Sequence, residues 1–458
     1  MPSTNGHDPE LAPRLGKDVE GRVIAPGDAE YDEARTVFYG GIDKRPAAIV
    51  RVASDADVAR VIAEARETGH ELAVRSGGHS IPGHSVTEGG LVLDLSEMNS
   101  LEMDPEGRTA WTESGVTAGQ FAETAAPHGL MTGFGDTASV GVGGLTLGGG
   151  VGFLVRKYGL TIDALLAADV VTASGEVLRV DEDSHPDLFW AIRGGGGNFG
   201  VVTRFRFRLD DVPEIFGGIL IQPATPETVA AWIAASEAAP EELSTIATVM
   251  KAPPMPFLPE AAHGKLVILG MIVHVGGGET GERAMAPFRE LAEPLADMLR
   301  EMPYTGIYME GQERFHPIAS GRTMFIDRMD RDVAATILAR IESSDAMMGA
   351  AQLRVLGGAM ARVPVEATAF AHRASRIMVN VAALYEKLEA RPRYEGWVQG
   401  FADDIRQNDQ GAYVGFLEDG PERVRAAYPG ATWDRLREIK RHYDPDNLFR
   451  LNQNIPPA

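Results

Sequence analysis

The residues with the clearest chemical potential lie between Val74 and Ser80, where the chain reads Val-Arg-Ser-Gly-Gly-His-Ser. Adjacent glycines adopt backbone angles closed to other residues, so successive amide N–H groups can converge on an anion such as a pyrophosphate. The imidazole of His79 would then lie beside whatever that anion carries. Taken alone, these residues favour the simpler interpretation, a tight turn with a surface histidine. The rest of the chain must decide between the two interpretations.

Glycine is also concentrated between Gly133 and Gly152, where nine of twenty residues are glycine. An average protein contains about 7% glycine. A flexible linker would carry polar residues where Val140, Val142 and Leu145 stand. We therefore predict that the backbone of this stretch closely approaches a flat or phosphorylated group.

A third glycine cluster, over residues 194–200, contains the G-x-G-x-x-G spacing at Gly195, Gly197 and Gly200. A dinucleotide-binding fingerprint needs a strand before the glycines and a helix after them. Here the periodicity predicts a helix over 187–193 and a strand over 201–209. A nicotinamide-binding Rossmann domain is therefore the weaker enzyme alternative.

Composition excludes several classes of function. The 458 residues predict two to four domains, and the net charge of -22 argues against a nucleic-acid or anionic-membrane partner. Without cysteine the chain has no disulfide and no thiolate metal site, so redox chemistry would need a cofactor. The histidines other than His79 lack the spacing of a helical metal site, and we predict no metal. The first thirty residues resemble no targeting peptide and no apolar window is long enough to span a membrane, so we expect a cytoplasmic protein with a frayed amino terminus.

Hydrophobic periodicity predicts the elements that position these residues. A strand over 47–52, a helix from Ser54 to Glu67 and a strand over 71–75 form a βαβ unit with parallel pairing, whose second strand delivers the Gly-Gly-His loop. Further elements in this half are a helix over 117–128 and strands over 91–95, 109–112, 167–172, 177–180 and 201–209.

From about Val212 the pattern is typical of a second α+β domain with longer elements. We predict helices over 226–239, over 280–299 with interruptions near Pro287 and Pro294, and over 331–344, together with strands over 265–275, 351–356 and 377–383. A helix over 432–442 precedes a closing segment with apolar anchors that include Phe449 and Ile455. That segment is expected to dock on the protein rather than fray.

Six motifs in this order resemble the berberine bridge enzyme-like flavoproteins of the vanillyl-alcohol oxidase superfamily. They are Arg75-Ser-Gly-Gly-His79-Ser80, the run Ser139–Gly150, Arg156-Lys-Tyr-Gly159, the run Asp187–Gly194, the run Gly197–Thr203 and the run Tyr443–Asn454. The resemblance covers residues 40–458 and implies an α+β, two-domain FAD-binding PCMH-type fold. It implies an amino-terminal extension (1–39), an FAD-binding domain (40–212), an antiparallel-sheet substrate domain flanked by helices (213–410) and a carboxy-terminal segment that returns to the FAD domain (411–458).

The resemblance also implies the cofactor and its contacts. A flavin is a flat ring system on a pyrophosphate, which suits three glycine-rich loops. In the family the histidine of the Gly-Gly-His motif bonds to the 8α-methyl group of the flavin, and His79 occupies that position. The residues that the motifs assign to FAD are Arg75, Ser76, Gly77, Gly78, His79, Ser80, Thr137, Val140, Gly141, Gly143, Gly144, Gly148, Gly149, Gly150, Gly152, Tyr158, Gly159, Gly197, Asn198, Gly200, Val201, Val202, Asn452 and Asn454.

Three departures from the family pattern affect the chemistry. Many relatives add a second tether through a cysteine where this chain has Thr137, so we predict a single covalent bond. Many carry a tyrosine where Val151 stands, and a glutamate base soon after the glycine pair 357–358, where this chain has Ala359 to Arg362. The usual base is therefore not located in this sequence. Tyr413 and Asn452 are the candidate catalytic residues, although a strand aromatic and a capping residue are the simpler interpretations of the two.

The resulting prediction is an FAD-dependent oxidase. It would oxidise a small organic substrate, such as an alcohol, sugar, amine or secondary metabolite, by hydride transfer to the flavin, with O2 as acceptor and H2O2 as product. The alternatives are an FAD-dependent dehydrogenase with another electron acceptor and a catalytically inert flavin-binding protein. The expected partners are the small-molecule substrate and O2, with no nucleic acid and no membrane, and the protein is expected to be a monomer or homo-oligomer.

Overall fold

A four-stranded sheet near the amino terminus carries the glycine–histidine loop. In the computed structural model, which describes residues 10–309, 316–418 and 420–458, its strands are β1 (Arg22–Ile24), β2 (Ala48–Arg51), β3 (Leu72–Arg75) and β4 (Leu91–Asp94). The helices of this region are α1 (Leu11–Asp18), α2 (Tyr31–Ala34) and α3 (Asp55–Thr68).

The predicted βαβ unit is present. The hydroxyl of Ser54 accepts the Asp57 N–H at 3.3 Å and caps α3, and Gly69, with φ +73°, ends the helix. Strands β2 and β3 both pair in parallel with β4, which lies between them in the order β1-β2-β4-β3. The crossover is therefore parallel as predicted, and β3 delivers the loop that begins after Arg75.

A second, antiparallel sheet follows. It has the order β5-β6-β10-β8-β9, and a separate pair joins β7 to β11. The strands are β5 (Leu101–Asp104), β6 (Thr109–Glu113), β7 (Leu130–Met131), β8 (Leu165–Val171), β9 (Val177–Val180), β10 (Val201–Arg208) and β11 (Asp210–Asp211). The helices are α4 (Ala118–Ala125), α5 (Val142–Leu147), α6 (Val155–Tyr158) and α7 (Pro186–Ile192). The strands predicted in this half are confirmed to within two residues, and the glycine cluster after α7 leads into β10 as the sequence indicated.

The third sheet is larger and antiparallel. Its order is β15-β12-β14-β13-β18-β19-β17, with β16 also paired to β12. The strands are β12 (Ile215–Pro223), β13 (Leu243–Lys251), β14 (Leu266–Val275), β15 (Ala296–Asp297), β16 (Arg300–Met302), β17 (Ile318–Ile326), β18 (Met348–Val355) and β19 (Ile377–Tyr385). The helices are α8 (Pro226–Ala238), α9 (Gly278–Arg289), α10 (Arg331–Glu342), α11 (Ala359–Arg362) and α12 (Arg391–Asp404).

One face of the third sheet packs against helices, and the other contributes to a cavity. On β18, Ala351 and Leu353 pack with Trp232 of α8 and Ile337 of α10 in one apolar core. Because side chains alternate along a strand, Gln352 on the same strand points to the opposite face. That face lies toward the first half of the chain and forms part of the cavity described below.

The helix predicted over 280–299 is wrong beyond Arg289. Helix α9 tolerates Pro287, but the chain after it becomes the edge strands β15 and β16. Leu295 and Met298 donate their N–H groups to the carbonyls of Ile221 and Ile219 on β12. Pairing with an existing strand satisfies these backbone groups, whereas Pro294 could not donate in a continuing helix.

The closing segment docks, as its apolar anchors predicted. Helices α13 (Pro421–Ala427) and α14 (Ala431–Tyr443) precede it, and both Phe449 and Ile455 are buried. The ammonium of Lys440, on α14, donates to the Asp444 carboxylate at 2.6 Å, the Phe449 carbonyl at 2.9 Å and the Asn198 carbonyl at 2.7 Å. The segment is thereby fixed to the third glycine cluster. No helix in the described ranges combines the length and apolar character that crossing a bilayer requires.

Candidate cofactor site and active site

A cavity of about 590 Å³ opens where the two amino-terminal sheets, the large antiparallel sheet and the closing segment meet. All three glycine clusters contribute to its wall. The predicted site residues that line it are Ser76, Gly77, Gly78, His79, Ser80, Thr137, Val140, Gly141, Gly143, Gly144, Gly148, Gly197, Gly200, Val201, Val202, Tyr413 and Asn452. The fold therefore brings together residues that are up to 376 positions apart in the chain, from Ser76 to Asn452.

The first loop holds His79 in a defined orientation. Gly78 has φ +71°, which allows the turn that places the imidazole at the cavity wall. The ring stacks on Phe38, with centroids 4.1 Å apart, and its Nε2 atom lies 3.1 Å from the Ser139 hydroxyl. Burial lowers the pKa of His79 to about 4, against smaller opposing effects of Ser139 and Asp136. The imidazole is consequently neutral at physiological pH.

The first and second loops pack backbone against backbone. A Cβ atom at Gly77 would lie 2.2 Å from the amide nitrogen of Gly141, and one at Gly141 would lie 2.1 Å from the Ser76 hydroxyl. No side chain fits at either position. Because these glycines carry no side chains, the two loops pack in direct backbone contact. This contact fixes the wall on which a ligand would lie.

Other glycines leave room for a ligand. A Cβ atom at Gly144 or Gly197 would meet no described protein atom within 4 Å, although both glycines line the cavity. Beside them, the side-chain oxygen of Asn452 is buried without a hydrogen-bond partner in the described part of the chain, while its amide nitrogen donates to the carbonyls of Gly197 and Phe449. Open backbone and an unpaired acceptor fit a flat ligand with polar edges, as FAD has.

Eight of the predicted cofactor residues do not line the cavity. Four are glycines that accommodate the protein itself: a Cβ at Gly150 would lie 2.0 Å from the Thr161 hydroxyl, and those at Gly149, Gly152 and Gly159 would meet Phe370, Gly135 and Asp163. The sequence predicted that the backbone of this stretch closely approaches another group. At these four glycines that group is another part of the protein and not a ligand.

The remaining four make structural contacts. Arg75 pairs with Asp94 at 2.8 Å behind the loop, and the Tyr158 hydroxyl donates to the Asp211 carbonyl at 2.6 Å. Asn198 donates to Gly195 and Gln453 and accepts the Ile455 N–H, so it fixes the closing segment. Asn454 lies in the same segment with a buried, unpaired side-chain oxygen but outside the cavity wall.

Tyr413 lies at the cavity but not on a strand, so the expectation of a half-buried strand aromatic is wrong. It precedes a short 3-10 turn over Val414–Phe416 and is 4% exposed. Its hydroxyl oxygen accepts the Gly150 N–H at 3.2 Å, and burial raises the pKa of the phenol above its usual value. The phenol is therefore protonated at neutral pH, with its own proton free to be donated to a ligand.

Residues of the large sheet complete the wall, and the sequence reasoning missed them. Met348, Gln352 and Leu384 line the cavity, and so does Asp136 from the amino-terminal half of the chain. The carboxylate of Asp136 forms an ion pair with Arg354, which lies two residues beyond Gln352 on the same face of β18. Polar residues at alternate positions of an apolar strand were the signal that could have indicated a second buried face.

The wall carries little charge. Of the described Asp, Glu, Lys and Arg side chains, Asp136 alone lines the cavity, and Arg354 neutralises it. Tyr39 adds a further phenol, whose pKa burial raises to about 12. Within the described ranges no cluster of three or more His, Asp or Glu side chains is arranged to hold a metal ion. The chemistry available here is that of a neutral imidazole, phenols and amides around a flat ligand.

Comparison with known proteins gives consistent matches. Two family models match the chain: an FAD binding domain at residues 46–181 and the berberine and berberine-like model at residues 406–456. The (R)-6-hydroxynicotine oxidase of Paenarthrobacter nicotinovorans is 32% identical over 96% of this chain and 97% of that protein. The xylooligosaccharide oxidase of Thermothelomyces thermophilus is 28% identical over 96% of this chain and 93% of that protein. Among solved structures, 6-hydroxy-D-nicotine oxidase of Arthrobacter nicotinovorans aligns with a TM-score of 0.85 at 29% identity, covering 96% of this chain and 98% of that one.

Proposed function

The chain belongs to the berberine bridge enzyme-like FAD-linked oxidoreductases, and from that premise we propose that it is an oxidase whose FAD is joined by one covalent bond to His79. Its substrate is a small organic molecule with an oxidisable alcohol or amine, and O2 accepts the electrons. The observation that carries the proposal is that the neutral imidazole of His79 lines the same cavity as glycines from all three clusters.

The state of His79 supports the bond. A nucleophile needs an unprotonated lone pair, and burial keeps this imidazole neutral at pH values well above 4. Stacking on Phe38 and the contact with Ser139 restrict its rotation, which lowers the entropic cost of reaching a reactive geometry.

A second tether has no chemical basis in this chain. Thr137 lines the cavity where relatives place a cysteine, and its hydroxyl lies 3.2 Å from the Asp136 carboxylate, to which it donates. The tether formed by a cysteine uses its thiolate, whereas a threonine hydroxyl is not ionised at neutral pH, and the chain contains no cysteine. We therefore propose a single bond to the flavin.

Bound FAD supplies a two-electron acceptor for the substrate's hydride. The chain's own groups orient the substrate. Tyr413 can donate its phenolic proton to the substrate heteroatom because its oxygen is already held by the Gly150 N–H. The amide of Gln352 offers a donor and an acceptor at the same cavity, and the rings of Phe416 and Tyr413 exclude water. With no glutamate at the family's base position, an amine in its unprotonated form would need the least help, since it can lose hydride without a base.

The first prediction tests the tether. In acid-precipitated wild-type protein the yellow colour should remain with the pellet, whereas His79→Ala should release it into the supernatant. Thr137→Ala is the matched control at the same wall and should keep the colour in the pellet. Release of all flavin from the wild type would contradict the covalent bond while leaving FAD binding intact.

The oxidase assignment is tested separately. Anaerobic holoenzyme mixed with a panel of alcohols, sugars, amines and phenols should bleach with at least one compound, and admitted air should restore the colour and yield H2O2. Bleaching that air does not reverse would favour a dehydrogenase. Reduction by dithionite without bleaching by any compound of the panel would favour the inert flavin-binding protein.

A further inference from the structure

We propose that the ion pair between Asp136 and Arg354 is a positioning device for His79, through which the large antiparallel sheet fixes the loop that aligns the imidazole for its bond to the flavin. This inference rests on the tether proposed above. It assigns a function to two residues that the sequence motifs do not mark, and it connects the two halves of the chain at the point where the bond would form.

The pair crosses the boundary between the two halves. Arg354 lies on β18, its side chain is 4% exposed, and its Nη2 atom donates to the Asp136 carboxylate, 218 residues away in the sequence. Its other two nitrogens, Nε and Nη1, have no hydrogen-bond partner among the described residues, and the ring of Phe416 lies 4.9 Å from the guanidinium carbon. Asp136 is therefore the sole described hydrogen-bond acceptor for this buried cation.

The loop after Asp136 carries that anchoring to His79. Its middle is attached to the start of α4, where the N–H groups of Gly119 and Ala118 donate to the carbonyls of Ala138 and Val140, both at 2.9 Å. Three residues after Asp136, the Ser139 hydroxyl meets the His79 ring nitrogen at 3.1 Å. The loop is thus fixed by α4 at its middle and by Arg354 at its beginning.

Removing Arg354 should free the beginning of the loop. A half-buried carboxylate that loses its one cationic partner among the described residues is destabilised where it lies, and the segment that carries it becomes less firmly held. Motion of Asp136 would pass to Thr137 and, through the turn in which the Val140 N–H donates to the Thr137 carbonyl at 3.3 Å, would loosen the contact of Ser139 with His79, although α4 still holds Ala138 and Val140. A displacement of about 1 Å at a reacting group can slow a reaction by about a hundredfold.

The step that depends on this alignment is an oxidative coupling. A C–N bond forms between an imidazole nitrogen of His79 and the 8α carbon of the flavin, and one C–H bond of that methyl group breaks. The methyl hydrogen and the imidazole N–H hydrogen leave as two protons, and two electrons pass through the flavin to O2, which becomes H2O2. The chain's part is to hold the imidazole neutral and correctly placed.

The second prediction follows. When FAD is added to apoprotein from riboflavin-starved cells, Arg354→Met and Asp136→Asn should each slow the appearance of acid-stable flavin by about tenfold or more. The matched control is Arg376→Met, which removes the surface pair between the residue just before β19 and Glu237 of α8, and it should leave the rate unchanged. Arg354→Lys and Asp136→Glu keep the charges and should recover part of the rate. If the neutral variants fail to fold, the tethering rates of these two variants are measured in their place.

The pH profile separates positioning from electrostatics. Because Asp136 raises the pKa of His79, Arg354→Met leaves that carboxylate unpaired and should raise the pKa further, whereas Asp136→Asn should lower it. The inflection of the tethering rate should therefore move in opposite directions in two variants that are slowed alike. At a pH well above both inflections His79 is neutral in both variants, so positioning predicts a slow tethering rate in each. A rate that rises in one variant and falls in the other would overturn the positioning role, and so would wild-type rates in both.

A wild type that binds FAD without a bond would refute the tether but would still test the inference. The measurement is then the rate at which diethyl pyrocarbonate modifies His79 in the apoprotein, followed by mass spectrometry of its peptide. Loss of positioning should raise that rate about fivefold in Arg354→Met and Asp136→Asn relative to Arg376→Met. Equal rates would overturn the inference.

Discussion

At the scale of single residues, the environment of His79 decides what the residue can do. Its loop was recognisable from adjacent glycines, but the neutrality of the imidazole comes from burial, to which the stacked ring of Phe38, distant in the sequence, contributes. A solvent-exposed histidine in the same motif would be partly protonated near neutral pH and a weaker nucleophile. The reactive state is therefore a product of packing.

The third prediction uses the pKa of His79 as a stability measurement. A folded-state pKa of about 4, below the ordinary value of 6.5, means that the unfolded chain binds the proton first as pH falls. This contribution to the free energy of unfolding is complete above pH 6.5 and is lost between pH 6.5 and 4, by up to about 3 kcal/mol. Urea unfolding of apoprotein should show this loss in the wild type. His79→Asn should lack it, and parallel curves for the two proteins would show that the imidazole is not buried as described.

At the scale of elements, the second glycine cluster has two distinct tasks. Its residues include a six-residue helix, α5, which the sequence reasoning treated as loop. Gly144 on that helix is open to the cavity, whereas Gly150, with φ +78°, lies against Thr161. Equal glycine content therefore hides two requirements: space for a ligand at Gly144 and close approach of protein at Gly150.

The fourth prediction separates these tasks by paired substitutions. Gly144→Ala adds a methyl group in open space on a helix, so the apoprotein should keep its stability while its retention of FAD falls about tenfold. Gly150→Ala combines a strained φ with a clash and should lower the free energy of unfolding by about 2 to 4 kcal/mol. Thermal unfolding of the apoproteins and FAD titration measure the two effects. Equal destabilisation by both substitutions would contradict the division.

At the scale of the whole molecule, the site exists because three distant parts of the chain close on one cavity. The amino-terminal half supplies the glycine clusters, the large sheet supplies Met348, Gln352 and Leu384, and the closing segment supplies Asn452. Lys440 joins the last part to the first, since it is fully buried and its ammonium contacts Asn198, Asp444 and Phe449. A buried charge with three acceptors holds a unique arrangement of these segments.

The fifth prediction concerns that closure. Lys440→Met leaves the Asp444 carboxylate buried without its cation and should lower the free energy of unfolding by about 3 to 5 kcal/mol. Because the segment that carries Asn452 is loosened, FAD retention should fall in parallel. Lys387→Met, at an exposed position, is the control and should change neither quantity. Full FAD retention in Lys440→Met would show that the closing segment docks independently of this contact.

The sequence by itself determined the local elements and the composition of the ligand-facing loops. Period-2 and period-3.6 patterns and glycine clusters are local signals, and they predicted the βαβ unit, ten of the described strands and the loop that carries His79. They also indicated the family, because its motifs are short and contiguous and can be read directly from the sequence, whereas contacts between distant segments cannot.

Only the tertiary structure decided which residues share the cavity and in what state. The edge strands after Arg289 depend on an open edge of β12, the pairing of Asp136 with Arg354 depends on the packing of two halves, and the two kinds of glycine differ only in what lies opposite them. Each of these is a contact between distant segments. Its free energy depends on burial and on the partner's position, and neither quantity is encoded in the residues next to it along the chain.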